Sequence, residues 1–222
     1  VERIRLTLLG PPGVGKGTYA ARLSQLFGIP HISTGELLRR EVAKGSPLGE
    51  EISRFMSQGA LVSDAIVNMI LFERLAMPDC KRGFVLDGYP RTLAQAEALE
   101  ERFPVDLAIF LWAPLEVVVE RLSGRLYCPA CGEVYHEKWR PPVKHGVCDK
   151  CGGTLTRRTD DSPEIIAKRY REYLDSSRTL VEFYEKRGKF IFFDASGDSR
   201  ALCPLLVEKV SRALREGAIS RL

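Results

Sequence analysis

The chain has 222 residues, 45% of them hydrophobic and 28% charged, with 19 Gly and 13 Pro; this is an ordinary globular composition and excludes disorder, collagen and coiled coil. No apolar run approaches the roughly 18 to 20 residues that a membrane span needs, and 33 basic against 29 acidic residues leave only +4, too little for a protein that coats nucleic acid or an anionic membrane. The start, Val1 to Leu6, runs straight into a glycine-rich turn at Gly10 and leaves no room for a signal peptide, so the expectation is a soluble, cytoplasmic protein.

Ile4 to Leu9 reads as a buried strand, followed by a turn over Gly10 to Gly17 and a helix to about Phe27. A short strand at His31 to Ser33 leads into helical segments near Gly35 to Lys44 and Gly49 to Gly59, and a third begins about Ser63, where Asp64 favours a helix start. Gly83 to Asp87 is a second buried strand, Thr92 to Arg102 a helix, Leu107 to Trp112 a third strand, and Pro114 to Ser123 a helix opened by proline. Alternating strands and helices predict a parallel sheet. From Arg125 to Asp161 the periodicity fails amid Pro129, Gly132, Pro141, Pro142, Gly146, Gly152 and Gly153, which marks a small separate module. A long polar helix follows Ser162 and Pro163, then a strand over Lys189 to Asp194 and a last helix. The end from Gly217 to Leu222 is expected to fray.

Gly10-Pro-Pro-Gly13-Val14-Gly15-Lys16-Gly17-Thr18, between a strand and a helix, meets the glycine and lysine positions of a P-loop. The glycines let backbone N–H groups curl around phosphates, the helix N-terminus adds positive potential, and Lys16 reaches the outer phosphates. The pattern departs in one place: Gly17 stands where Ser or Thr normally holds magnesium, and Thr18 comes one residue late. A dinucleotide fingerprint fails because Thr18 occupies its third glycine position, so Glu36 is not its ribose acid. Asp87 closes an apolar strand, where a carboxylate can hold a magnesium-bound water.

Four of the six cysteines form two knuckles, Cys128-x-x-Cys131 and Cys148-x-x-Cys151, sixteen residues apart. That spacing lets four thiolates converge on one zinc ion, and a closed four-sulfur shell makes the metal structural; cobalt or iron fit the same ligands. His136 in place of one sulfur is the minor alternative. Cys80 and Cys203 read as small buried side chains, Trp112 and Trp139 as packing residues in sheet and module, and His31 and His145 have no evident partner. Asp160 and Asp161 read as orienting the module through arginine contacts.

Taken together, Gly10 to Thr18, Ile32-Ser33-Thr34-Gly35-Glu36-Leu37-Leu38-Arg39, Asp87-Gly88-Tyr89-Pro90-Arg91-Thr92 and Thr156 to Asp161 resemble adenylate kinase, in its long-lid bacterial form with a zinc-binding lid. The resemblance implies a three-layer α/β P-loop nucleoside monophosphate kinase fold, with a parallel five-stranded sheet flanked by helices. It implies a core over 1–32, 63–124 and 162–222, an AMP-binding insert over 33–62 and a lid over 125–161. The activity implied is reversible transfer of the terminal phosphoryl group of magnesium ATP to AMP, giving two ADP. On this resemblance ATP lies against Gly13, Val14, Gly15, Lys16, Gly17, Thr18, Arg121, Arg125, Val134, Tyr135 and Gly197, with Arg121 on adenine and Arg125 on phosphate. AMP lies against Thr34, Gly35, Arg39, Ala60, Leu61, Val62, Gly88, Tyr89, Pro90, Arg91 and Gln95, with Arg158 and Arg169 reaching the transferring group. The catalytic set is Lys16, Arg91, Arg125, Arg158 and Arg169, and Asp87 holds magnesium through water.

Elementary chemistry agrees, because two nucleotides meeting head to head need about this many cations. The attacking oxygen is already ionised, so no general base is required. Water must be excluded, which gives the lid and the AMP insert a closing role. Two alternatives stand beside this. A pyrimidine monophosphate kinase shares the P-loop, but its relatives tend to carry a small apolar residue at the place of Thr34 and a short lid. A zinc-ribbon nucleic-acid binder is opposed by seven basic against five acidic residues over 125–161, too near balance to neutralise a phosphate backbone. The expected partners are ATP, AMP and ADP, with no nucleic acid or membrane, and the expected state is a monomer.

Overall fold

The computed structural model describes residues 3–58, 60–158 and 161–219. Asp160, the last residues 220–222 and Gly59, which ends an expected helix, lie outside the described residues.

Five strands, β1 (Ile4–Leu9), β2 (His31–Ser33), β3 (Gly83–Asp87), β4 (Leu107–Trp112) and the later Phe190–Asp194, form one parallel sheet. Between them come α1 (Lys16–Phe27), α2 (Thr34–Ala43), α3 (Pro47–Ser57), α4 (Asp64–Leu75), α5 (Leu93–Arg102) and α6 (Leu115–Ser123). The segment after α6 carries β5 (Arg125–Tyr127) and β6 (Val134–His136); then come α7 (Pro163–Glu185), β7 (Phe190–Asp194) and α8 (Ser199–Ile219). The strand order is β2-β3-β1-β4-β7. The chain leaves central β1 for one side and returns through β4 to the other, and the crevice at the carboxyl ends of such strands is where ligands bind.

Alternation along the strands explains the layering. Leu6, Leu8, Val85, Ile109 and Leu111 face one apolar cluster with Tyr19 and Leu23 of α1, Val118 and Leu122 of α6, and Leu206 and Val210 of α8. Leu9, Phe84, Leu86, Ala108 and Phe110 face the other, with Leu71 of α4, Leu99 of α5 and Phe183 of α7. Thr7 breaks the apolar run at the sheet centre; its buried hydroxyl donates to the Tyr89 carbonyl at 2.5 Å, which satisfies a group that would otherwise be costly to bury.

Local chemistry sets the helix starts. Ser33, Ser46, Thr92 and Ser162 each accept a backbone N–H of the first turn of α2, α3, α5 and α7, and Pro47 and Pro163 occupy first positions where no N–H is needed. Two features go beyond the sequence reading. Pro78–Cys80 forms a short 3-10 turn, and β5 pairs antiparallel with β6 inside the module where periodicity fails. β2 is equally short but is framed by the helix patterns around it, whereas β5 and β6 lie among the prolines and glycines that break the pattern there. The module has its own small apolar centre of Cys128, Tyr135, Cys148 and Leu155. Among the described residues, no helix is long and apolar enough to cross a membrane.

Candidate active site

The loop between β1 and α1 is shaped by glycines in conformations that other residues resist. Gly10, Gly13 and Gly15 have φ of 140°, 77° and 100°, and a Cβ on Gly13 would stand 2.7 Å from Leu122 Cγ. The loop is pressed against α6, and Gly10 donates its N–H to the Tyr173 hydroxyl at 2.6 Å. Lys16 folds back over the loop, its Nζ donating to the carbonyls of Gly10 and Pro11 at 2.7 and 2.8 Å. Burial pushes its ammonium from an ordinary 10.5 down to about 7; Asp87 opposes that shift, while Arg91, Arg169 and Arg125 add to it. The cations therefore repel one another in a place short of anions.

Parallel pairing brings Asp87 to this loop: it lies opposite Leu8 of β1 and Ser33 of β2. Burial alone would raise its carboxyl, but the adjacent imidazole of His31 and the charges of Lys16 and Arg91 outweigh burial and hold it below the ordinary carboxylate range. His31 Nε2 stands 3.6 Å from Asp87 Oδ2, a partner the sequence does not disclose. A Cβ on Gly17 would come within 3.4 Å of Asp87 Oδ2. The glycine that departs from the P-loop pattern thus leaves open the space beside this carboxylate, a cradle that suits a hydrated magnesium ion held through water.

A second cavity, walled by Thr34, Gly35, Leu38, Arg39, Met56, Ala60, Leu61, Val62, Val67, Gly88, Arg91, Gln95 and Arg169, has a volume of about 70 Å³. Arg39, Arg91 and Arg169 line it together with apolar side chains from α2, α3 and α4. Burial lowers the Arg91 pKa, Arg169 and Arg39 add to the effect, and Tyr173 and Asp87 oppose it; its Nε donates to Gly88 O at 3.0 Å. Met56 and Val67 line this cavity although no sequence motif contains them; Leu38, inside the motif from Ile32 to Arg39 but given no contact there, also lines it, one turn beyond Thr34 on the same helix face. Tyr89 and Pro90 do not line it. The Tyr89 ring is fully buried in the cluster that holds Phe84, Leu86 and Leu71, edge-on to Phe72, and its hydroxyl donates to Asn68 Oδ1 at 2.7 Å.

Arg121 lies between the P-loop and the turn after β7, donating to the carbonyls of Val14, Ser196 and Gly197 at 3.2, 3.2 and 2.8 Å; this draws Gly197 to the same edge. Arg125 forms a two-pronged ion pair with Asp161 at 2.8 and 2.5 Å, which ties the entry strand of the module to its exit. The Arg158 guanidinium lies over the Tyr127 ring. Tyr135, expected beside ATP, is buried in the module's centre, its hydroxyl accepting from Asp149 N at 2.9 Å and lying 3.6 Å from Cys148 Sγ. Val134, expected beside ATP, is half-buried, and its carbonyl accepts from Arg140 at 2.6 Å.

The four Sγ atoms of Cys128, Cys131, Cys148 and Cys151 lie within 4.8 Å of one another. Cys128 and Cys151 stand 3.4 Å apart, Cys131 and Cys148 3.6 Å. Zinc–sulfur bonds of about 2.3 Å in a tetrahedron require sulfur–sulfur edges of about 3.8 Å, so the cluster fits such an ion with small adjustments. His136 is not part of it. Its ring stacks on Trp139 at 4.0 Å and its Nδ1 accepts from the N–H groups of Lys138 and Trp139. Cys80 is buried, whereas Cys203 is only half-buried.

A family model described as adenylate kinase matches residues 8–189. A protein named adenylate kinase from Pseudothermotoga lettingae is 47% identical over 218 residues, covering 96% of this chain and 99% of its own length. Another from Archaeoglobus fulgidus is 48% identical over 199 residues, covering 87% and 91%. A third, from a Geobacillus species, is 42% identical over 218 residues, covering 96% and 97%.

Proposed function

The chain belongs to the adenylate kinase family, and from that premise we propose how its own residues carry out phosphoryl transfer between ATP and AMP. The single observation behind the reading is that Arg91, Arg169 and Arg125 lie close enough to Lys16 for their charges to act on it, with Asp87 opposing them, while Arg91 and Arg169 also line the cavity.

ATP lies with its phosphates in the N–H groups of Gly13 to Thr18 and its adenine toward Arg121 and Gly197. AMP occupies the cavity, its phosphate between Arg39, Arg91 and Arg169 and its base toward Gln95, Thr34 and Val62. An AMP phosphate oxygen attacks the γ-phosphorus; the bond from that phosphorus to the bridging oxygen breaks, and its electron pair remains on the ADP formed. Lys16, Arg91, Arg125, Arg158 and Arg169 act by holding both partners in line and matching charge spread over the equatorial oxygens. No proton has to move. Magnesium, when bound near Asp87 through water, supplies neutralisation of the donor phosphates. A zinc ion on the four cysteines supplies order to residues 125–161, a stretch too short to build a sufficient core.

Residues 33–62 and 125–161 close over AMP and ATP to exclude water. The proximity of the two inserts supports this: a Cβ on Gly132 of the cysteine knuckle would lie 3.6 Å from the Glu36 carboxyl group of α2. The enzyme works as a cytoplasmic monomer without nucleic-acid or membrane partners. The test is ATP-dependent phosphorylation of AMP, CMP, UMP and GMP in parallel, with Lys16→Ala as the blank. Preference for AMP is expected; a preference for CMP or UMP would overturn the assignment of the base pocket.

A further inference from the structure

Gln95 lines the cavity with an amide that can, by chemistry alone, be read either way round, since it carries a donor and an acceptor of similar size. Its surroundings remove that freedom. Arg91 N donates to Gln95 Oε1 at 2.7 Å, and Gln95 Nε2 donates to Asp64 Oδ1 at 2.7 Å. A backbone N–H can only donate and a carboxylate can only accept, so these two contacts permit one orientation. The second Asp64 oxygen accepts the Thr92 hydroxyl at 2.7 Å, and Thr92 Oγ1 accepts Gln95 N at 3.1 Å. Asp64 therefore spans the first turn of α4, the cap of α5 and the amide. Gln95 is 3% exposed, so a flipped amide would leave buried groups facing like groups, which is expensive.

The geometry points to Asp64 as a positioning residue for base selection: it fixes the sense in which the Gln95 amide meets a purine. Adenine presents an acceptor at N1 beside a donor 6-amino group; guanine presents a donor at N1 beside an acceptor 6-oxo group. An amide locked one way complements one of these edges, and its flipped form complements the other. Asp64 does not line the cavity. It acts by making the flip costly, and so converts an ambiguous side chain into one that discriminates. This inference rests on the assignment of the cavity to AMP.

The test compares kcat/KM for AMP and GMP, at saturating magnesium ATP, in the wild-type enzyme, Asp64→Asn and Asp64→Asn/Gln95→Glu, with Tm measured for each. In Asp64→Asn the side chain offers one acceptor where the carboxylate offers two, so Gln95 Nε2 and the Thr92 hydroxyl compete for it; the hold on the Gln95 amide weakens, and the AMP to GMP ratio is expected to fall about tenfold, carried by KM. The double variant again matches every donor with an acceptor among residues 64, 91, 92 and 95, and keeps the negative charge. Its Tm is expected to recover, while its AMP to GMP ratio stays below wild type because the base now meets acceptors alone. An unchanged ratio in Asp64→Asn that still phosphorylates AMP overturns the positioning role and leaves the phosphate chemistry standing. A double variant that regains both Tm and wild-type selectivity assigns Asp64 to stability only. A wild-type enzyme without preference for AMP over GMP removes the pocket assignment and this inference together.

Discussion

Lys16 links the electrostatics of the site to a titration that can be measured. Burial, with Arg91, Arg169 and Arg125 nearby, brings its pKa to about 7 from an ordinary 10.5, so at pH 8 roughly one amine in ten carries its proton before nucleotide binds. A polyphosphate placed against Lys16 supplies the missing anion and restores the charged form. Binding of a magnesium complex of a non-hydrolysable ATP analogue at pH 8 should therefore take up about 0.9 proton at this residue. The sign follows from linkage: because the complex binds the extra proton, affinity falls as pH rises, by up to about tenfold per unit above pH 8. The nucleotide's own phosphates titrate near pH 6 and are silent in that range. Titration calorimetry in buffers of different ionisation enthalpy reads the uptake directly, and Lys16→Met isolates the residue. Equal uptake in both proteins, or affinity independent of pH between 8 and 9, would refute the argument.

Chelation of the metal, or Cys148→Ser, is expected to melt residues 125–161 while the core retains its helical signal; kcat falls at least tenfold. Metal analysis checks this, with one ion per chain expected, and full activity of metal-free protein would contradict it. Gly13→Ala meets both a φ of 77° and a contact of 2.7 Å with Leu122, at a cost of about 2 kcal/mol. Thermal unfolding should show a loss of roughly 4 to 8 °C, with a raised KM for ATP. Asp161→Asn breaks the pair with Arg125, whose partner side chains are 5% and 18% exposed; about 2 kcal/mol is expected, after allowance for the exposed edge of the arginine. A double-mutant cycle with Arg125→Gln measures the coupling, and additive effects would remove the pair from the account.

Much of this architecture can be read along the chain because its signals are local. Apolar runs bounded by glycine and proline mark the core strands, and Ser33, Thr92 and Ser162 mark helix starts, since a cap acts within three residues of its own position. The glycine loop and the two cysteine knuckles are legible for the same reason: backbone freedom and ligand spacing are properties of short segments. The short strands β5 and β6 escape such a reading, as does the 3-10 turn at Pro78–Cys80. The two strands lie among the glycines and prolines that break the pattern of residues 125–161, without the flanking helix signals that frame β2, and a single turn carries no period.

What the sequence by itself determined was an inventory: a phosphate-cradling loop, a metal-spaced quartet of thiols, and arginines within recognisable motifs. Which groups meet was decided by the tertiary structure. Pairing of β2 with β3, His31 opposite Val85 and Ser33 opposite Asp87, brought the His31 imidazole to 3.6 Å from the Asp87 carboxylate, and the packing of α4 on α5 carried Asp64 to Gln95, 31 positions away. The core took the Tyr89 ring, and the module's own centre took Tyr135, although the family resemblance implies nucleotide contacts for both. Contacts between distant segments depend on how sheet and helices pack, and an isolated residue carries no mark of the neighbour that packing will bring to it. Burial then does what composition cannot, turning Lys16 from a surface cation into one that titrates near neutrality.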